Sequence, residues 1–241
     1  MQGFITSSVP FAERQIIIMI KAVFIDYTGT IITQGGKDAE EMVYRVCKNS
    51  DMKNPHQFLK YWWGMLKEYE DSFEGTAYVT EDEIVDNMLE RCVKEIHLKE
   101  NLEELHTLCQ RFWMYAPLYD DVKEFFEKCP CQIYIISNNG HKYISEAMKA
   151  NGISPTGIIT ADMVKAYKPH STLFKKALEV SGCTVDEVVH IGDSITSDVN
   201  GAKAVGIKPI LLDRDSKYGT LDIPVAKSLL DALYMIQKIP V

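Results

Sequence analysis

Apolar residues recur along this chain in two rhythms, and the change from one to the other divides it. Residues 22–25 form a short unbroken apolar run, partly β-branched, that stops at Asp26. Such a run predicts a strand buried on both faces, with Gly29 marking the turn after it. From about Lys37 to Trp113 the apolar positions fall three and four residues apart, as in Ala39, Met42, Val43, Val46 and Cys47. Phe58, Tyr61, Trp62, Met65 and Leu66 repeat the spacing, and so do Ile84, Val85, Met88, Leu89, Cys92 and Val93. That spacing predicts one-sided helices. Thr80 followed by Glu83 is a capping-box signature for the third of them, and Asn101 is placed to cap a fourth. The stretch contains no strand pattern.

Beyond Pro117 helix and strand patterns alternate. Helices are predicted near Asp120–Lys128, His141–Ala150, Thr172–Val180, Ser197–Val205 and Ser228–Ile236. Strands are predicted at Gln132–Ile136, Gly157–Ile159, Val188–Ile191 and Lys208–Leu212. Strands separated by helices imply a parallel sheet covered on both faces. The expected fold is therefore α/β, a Rossmann-like parallel sheet core with an inserted four-helix cap. Its expected divisions are an N-terminal extension at 1–18, a core at 19–33 and 117–241, and the cap at 34–116. In such sheets ligands bind beyond the carboxyl ends of the strands, where strand order reverses. Three of the apolar runs stop there at a polar residue: Asp26, Ser137 and Asp193.

Composition narrows the function. The chain has 241 residues and a formal net charge of −8, so an extended nucleic-acid surface, which needs a clustered positive field, is not expected. A small anionic substrate needs only one or two local cations. The six cysteines (Cys47, Cys92, Cys109, Cys129, Cys131 and Cys183) have neither zinc-site nor disulfide-framework spacing. Cys129 and Cys131, flanking Pro130, read as small apolar residues at the turn before a strand. A reducing, cytoplasmic setting is expected. Residues 1–15 show no periodicity, and the apolar run Ile16–Ile20 is too short for a membrane span and lacks a basic start. Residues 1–18 are thus expected to be a poorly ordered extension, or a misplaced start ahead of Met19, and no membrane association is expected.

The string Phe24-Ile25-Asp26-Tyr27-Thr28-Gly29-Thr30 resembles the first motif of the haloacid dehalogenase-like superfamily. Ile136-Ser137-Asn138 is similar to its second motif, Tyr167-Lys168-Pro169 to its third, and Ile191-Gly192-Asp193 through Asp198 to its fourth. All four stand in the family's order and spacing, with the helical stretch inserted after the first. The resemblance implies phosphoryl transfer on a small phosphorylated substrate with Mg²⁺ as cofactor. It makes Asp26 the nucleophile that forms an aspartyl-phosphate. Asp26, the Thr28 carbonyl and Asp193 would ligate the ion, and Asp198 would support the ion or the lysine. Lys168 would neutralise the phosphoryl oxygens, while the Ser137 hydroxyl and the Asn138 N–H would hydrogen-bond them. It leaves the oligomeric state open.

One position departs from the pattern. Phosphatases of this superfamily carry a second aspartate two residues after the nucleophile, and Thr28 stands there instead. A threonine hydroxyl cannot serve as a carboxylic acid near neutral pH. General acid–base catalysis contributes about 10² to 10⁴ in rate, so the substitution matters. Three readings follow: a substrate with a good leaving group, a cap residue that supplies the proton, or a slow or silent phosphate- and Mg²⁺-binding regulatory protein. Superfamily ion pumps also carry threonine here, but no membrane span accompanies it. A dehalogenase would carry tyrosine at the Thr28 position, whereas here the tyrosine is Tyr27. A phosphonoacetaldehyde hydrolase would need a reactive cap lysine, for which Lys53, Lys60 and Lys67 are available. Trp62, Trp63, Tyr69, Phe73 and Tyr78 are the cap aromatics to compare for substrate contact, with Trp62 assigned to the helix core.

Overall fold

The computed structural model describes residues 19–72 and 75–238. The expectation for residues 1–18 and the candidate Phe73 lie outside them. Six parallel strands form one sheet in the order β3-β2-β1-β4-β5-β6. They are β1 (Ala22–Ile25), β2 (Gln132–Ser137), β3 (Gly157–Thr160), β4 (Val188–Gly192), β5 (Lys208–Leu212) and a two-residue β6 (Val225–Ala226). Between β1 and β2 stand α1 (Lys37–Lys48), α2 (Pro55–Ser72), α3 (Glu81–Glu95), α4 (Leu102–Tyr115) and α5 (Val122–Lys128). Then follow α6 (His141–Asn151), the one-turn α7 (Ala161–Val164), α8 (Ser171–Ser181), α9 (Gly201–Ala204) and α10 (Leu229–Gln237). The fold class is α/β and Rossmann-like.

Period-two alternation within the central strands explains how one sheet holds two cores. Val23 and Ile25, Ile133 and Ile135, Val189 and Ile191, and Ile210 and Leu212 face the larger core, shared with α5, α6, α10 and the inserted helices. Ala22, Phe24, Tyr134, Ile136 and Val188 face the other, under α8 and α9. Every residue of β1 is buried on both faces, so its run contains no polar position. His190 of β4 is the exception in its strand, fully buried with its ring edge-on to Phe174 at 5.1 Å.

The inserted helices follow their sequence signals closely. Thr80 accepts from the Glu83 N–H, and Glu83 in return accepts from the Thr80 N–H at 2.6 Å, closing the capping box of α3. Asn101 accepts from the Glu104 N–H at 3.2 Å and caps α4. The apolar faces of α1 to α4 pack on one another around Phe58, Ile84, Met88 and Leu105. The chain enters and leaves this bundle along neighbouring paths, Thr33 N–H bonding to Pro117 and Tyr119 N–H to Ile31. One predicted helix differs. Ser197–Val205 begins instead as a wide π-turn at Ile195–Asn200 and only then tightens into α9. The wider turn places Asp198 beneath β4, where its carboxylate meets the Ser194 N–H at 3.1 Å.

Candidate active site

Strand order reverses between β1 and β4: the chain runs from β1 outward to β2 and β3, then crosses to β4 on the other side. The carboxyl ends of these strands open a crevice at that point, where fixed backbone ends can present side chains to a ligand. Asp26 follows β1, Ser137 ends β2 and Asp193 follows β4. Together with Thr28, Asn138, Lys168 and Asp198 they line one cleft of about 200 Å³. The structure thus brings all seven sequence-selected residues to one place.

At its floor Lys168 is buried between two carboxylates, with Nζ 2.5 Å from Asp26 Oδ1 and 2.6 Å from Asp198 Oδ1. Asp198 Oδ1 also meets His190 Nε2 at 3.0 Å. Burial works against the charge on Lys168, but Asp198 and Asp26 outweigh it and hold the ammonium above its ordinary range. Burial likewise opposes ionisation of Asp198, yet Lys168 and His190 hold it well below the carboxylate range. Asp26 is pushed up by burial, against the pull of Lys168. Asp193 is pushed up to about 8 by burial and by the nearby Asp26 and Asp198 charges.

These directions describe a site with more negative charge than its lysine neutralises. Asp26, Asp193 and Asp198 each offer an oxygen within 4.8 Å of the others, and Asp26 Oδ2 is buried without a hydrogen-bond partner. Converging carboxylate oxygens with an orphaned buried acceptor fit a hard divalent cation such as Mg²⁺, which takes oxygen ligands. Two glycines keep the carboxylates in place. Gly29, at φ +89°, adopts a backbone disfavoured for side chains, and a Cβ there would strike the Asp193 carboxylate. A Cβ on Gly192 would overlap Asp198 itself. Gly192→Ala is therefore expected to displace Asp198 from Lys168 and lower turnover at least tenfold, whereas Gly64→Ala, with open space around it, serves as the silent control.

The second-motif residues line the cleft and are held there by bonds within the protein. The Ser137 hydroxyl is held by its own neighbour, donating to Asn139 Oδ1 at 3.0 Å and accepting from the Asn139 N–H at 3.1 Å. Asn138 uses its side chain, whose Oδ1 accepts from the Lys168 N–H at 2.7 Å. The Thr28 hydroxyl donates to Asn139 Oδ1 at 2.8 Å. Asn139 then donates to Glu81 of α3 at 2.6 Å, and Glu81 also accepts from the Gly140 N–H at 3.0 Å. Asn139 thus ties β1, β2 and the inserted helices together. It escaped sequence reading because a second asparagine after a strand looks like an ordinary turn residue.

The inserted helices form the opposite wall through Trp63, Leu66, Lys67, Glu70, Glu81 and Trp113. Trp62 is turned into the helix core, while Tyr69 is half-buried against it. Tyr78 stacks on Tyr167 with centroids 5.2 Å apart, outside the cleft. Among the lysines considered, Lys67 borders the cleft and pairs with Asp71, Lys53 donates to the Lys48 carbonyl at 3.0 Å, and Lys60 is exposed. Tyr27 is fully buried and donates its hydroxyl to the Trp113 carbonyl at 2.7 Å, so it does not enter the cleft.

Fold and site together define a hydrolase built on a Rossmann-like sheet with an aspartate at its switch point. The model of the haloacid dehalogenase-like hydrolases matches residues 20–206, and the chain belongs to that family. Glyceraldehyde 3-phosphate phosphatase of Pyrococcus furiosus is 35% identical over 83 residues, 34% of this chain and 33% of that protein. Haloacid dehalogenase-like hydrolase domain-containing protein 3 of Danio rerio is 37% identical over 68 residues, 28% of this chain. The matched stretch spans about a third or less of either relative. Among solved structures, the HAD-hydrolase YfnB from Bacillus subtilis bound to magnesium has a TM-score of 0.75 at 18% identity, covering 91% of this chain and 99% of that one. An L-2-haloacid dehalogenase from Xanthobacter autotrophicus has a TM-score of 0.68 at 19% identity, covering 92% and 100%. A HAD phosphatase from Thermococcus onnurineus has a TM-score of 0.63 at 23% identity, with the same coverage. At these identities the likeness is one of fold. Among the described residues no helix is long and apolar enough to cross a membrane.

Proposed function

We propose that the chain is a Mg²⁺-dependent phosphatase that cleaves a small phosphomonoester through an aspartyl-phosphate on Asp26. The observation that carries this reading is the meeting of Asp26, Lys168, Asp193 and Asp198 in one cleft, with Asp26 Oδ2 left free of hydrogen bonds. Asp26, the Thr28 carbonyl and Asp193 would hold the ion, which supplies positive charge beside the phosphoryl oxygens. Lys168 keeps Asp26 Oδ1 in one orientation and adds a second cation where charge develops in transfer. Asp198 and His190 fix that lysine from below. Supporting the phosphatase reading over a dehalogenase are the three converging carboxylates and the position of Tyr27 outside the cleft. The phosphatase named for the Pyrococcus furiosus relative points the same way.

The inserted helices, residues 34–116, act in this reading as a cap that closes over the phosphoryl site and excludes water. Trp63, Leu66 and Trp113 would meet the apolar part of a compact substrate, and Gln34, Lys67 and Glu70 its polar part. Six free cysteines support a reducing, cytoplasmic setting. A slow phosphate-binding protein is the second reading, favoured by one feature, the Thr28 hydroxyl in place of an acid.

Phosphate release from acetyl, p-nitrophenyl and alkyl phosphates, with and without Mg²⁺, tests the proposal. Metal-dependent release is expected, and its absence on every ester would favour the binding protein. An independent check is thermal. Mg²⁺ at tenfold its Kd should stabilise the fold by about 1.4 kcal/mol, or about 3–6 °C in Tm for a domain of this size. Asp193→Asn should abolish that shift.

A further inference from the structure

Hydrolysis of an alkyl phosphate through Asp26 needs a proton for the departing oxygen and later a base for the attacking water. The cleft offers few groups for this. The Thr28 hydroxyl is committed to Asn139, Lys168 is clamped between two carboxylates, and Glu81 is committed to Asn139 and Gly140. Glu70 remains. It stands in the last turn of α2, on the cleft wall opposite the strand ends, where the Asn138 side chain favours its charged form. The same Asn138 accepts the Lys168 N–H through its Oδ1, so one asparagine links Glu70 to the segment that carries the lysine.

Local physics argues that Glu70 is not kept for stability. The carbonyl end of a helix disfavours negative charge, yet the last turn of α2 carries Glu70 and Asp71 and no basic residue. A residue that breaks a local rule without an evident structural gain marks a functional position.

We infer that Glu70 is the general acid and then the general base of this enzyme, placed on the cap rather than beside Asp26. The inference rests on the phosphatase reading given above. In the first step an Asp26 oxygen bonds to phosphorus while the bond from phosphorus to the substrate oxygen breaks. That oxygen takes the Glu70 proton and leaves as an alcohol. In the second step the Glu70 carboxylate takes a proton from water as the water oxygen attacks the phosphorus of the aspartyl-phosphate. The Asp26–phosphorus bond breaks, releasing phosphate and restoring both the Asp26 carboxylate and the Glu70 acid.

Such a role needs a group that is protonated for the first step and ionisable for the second near neutral pH. Burial pushes Glu70 up to about 7, with Asp71 acting in the same direction, while Asn138, Lys67 and Lys168 hold it back from rising further. Glu81, on the same wall, and Tyr167 also feel the Glu70 charge. A base in the second step and an acid in the first thus share one carboxyl group. The acid form is lost above about pH 7, so kcat/KM on alkyl phosphates, which reports the first step, should fall on that alkaline side.

The test compares Glu70→Gln and Glu70→Asp with the wild-type chain on glycerol phosphate and p-nitrophenyl phosphate, across pH. Glu70→Gln should lose about 10² to 10⁴ in kcat/KM on the alkyl ester. The aryl ester, whose leaving group needs little protonation, should lose far less, and the alkaline limb should disappear. Glu70→Asp keeps the acid and should recover part of the alkyl activity together with that limb. Melting curves show whether each variant folds, and if Glu70→Gln does not, the limb in Glu70→Asp decides. Equal losses on both esters, or an alkaline limb that survives Glu70→Gln, would overturn the role of Glu70 and leave the phosphatase reading intact. A wild-type chain that releases phosphate from neither ester would overturn that reading and this proposal with it.

Discussion

Asp26→Asn is expected to reduce Mg²⁺-dependent phosphate release by at least about 10⁴-fold, since removing a nucleophile removes the covalent route altogether. The amide is close in volume, so the change is chemical more than structural. It replaces a charged oxygen that has no hydrogen-bond partner, Oδ2, with a group that is neither charged nor nucleophilic. The variant should also fail to incorporate phosphate into protein under acid quench, which the wild type should do. Residual release within tenfold of wild type would mean that water attacks the ester directly and that Asp26 only positions it.

Lys168→Met carries the second large effect, on stability as well as rate. Lys168 is buried and paired to both Asp26 and Asp198. Removing one partner of such a cluster leaves uncompensated charge and costs about 3–5 kcal/mol, or roughly 6–20 °C in Tm for a chain of this size. The pH dependence follows from the directions of the shifts. Asp198 is held below its ordinary range, so its stabilising contribution is present above about pH 4 and is lost as pH falls through its folded value. Lys168 is held above its ordinary range, so its contribution is complete at neutral pH and is lost only in strong alkali. The penalty of Lys168→Met should therefore be full at pH 7 and shrink in acid, as the stranded carboxylates take up protons. Urea unfolding in EDTA at pH 7 and pH 4 measures this. An equal penalty at both would show that the lysine contributes packing rather than charge. Turnover should fall at least about 10³-fold, because among the described residues Lys168 is the ammonium paired with these carboxylates.

Some of the site needed the third dimension for physical reasons that individual residues make plain. Asp26 and Asp193 are legible because a parallel strand covered on both faces is nearly all apolar, so a carboxylate at its end breaks the pattern. Glu70 lies on a helix that reads as ordinary, with Phe58, Trp62 and Met65 forming its buried stripe. Its acidic last turn, Glu70 and Asp71 without a basic residue, is out of place at the carbonyl end of a helix, but only the fold shows that this turn faces a cleft. His190 sits inside a strand and looks like a tolerated core histidine until Asp198 arrives from the following π-turn. Ser137 lines the cleft, and its hydroxyl is oriented there by Asn139, two residues on, a contact that only the folded turn makes.

What the sequence by itself determined is everything set by neighbours a few residues apart. The buried strands, the helical stripes, the caps at Thr80 and Asn101 and the turn at Gly29 all follow from local burial and local hydrogen bonding. The parallel α/β fold follows from their alternation. Only the tertiary structure decided which distant groups share a proton or a charge. Lys168 reaches Asp26 across 142 positions and Asn139 reaches Glu81 across 58. Those meetings depend on strand order and on how the inserted helices seat on the sheet, and neither is encoded in any single window of the chain.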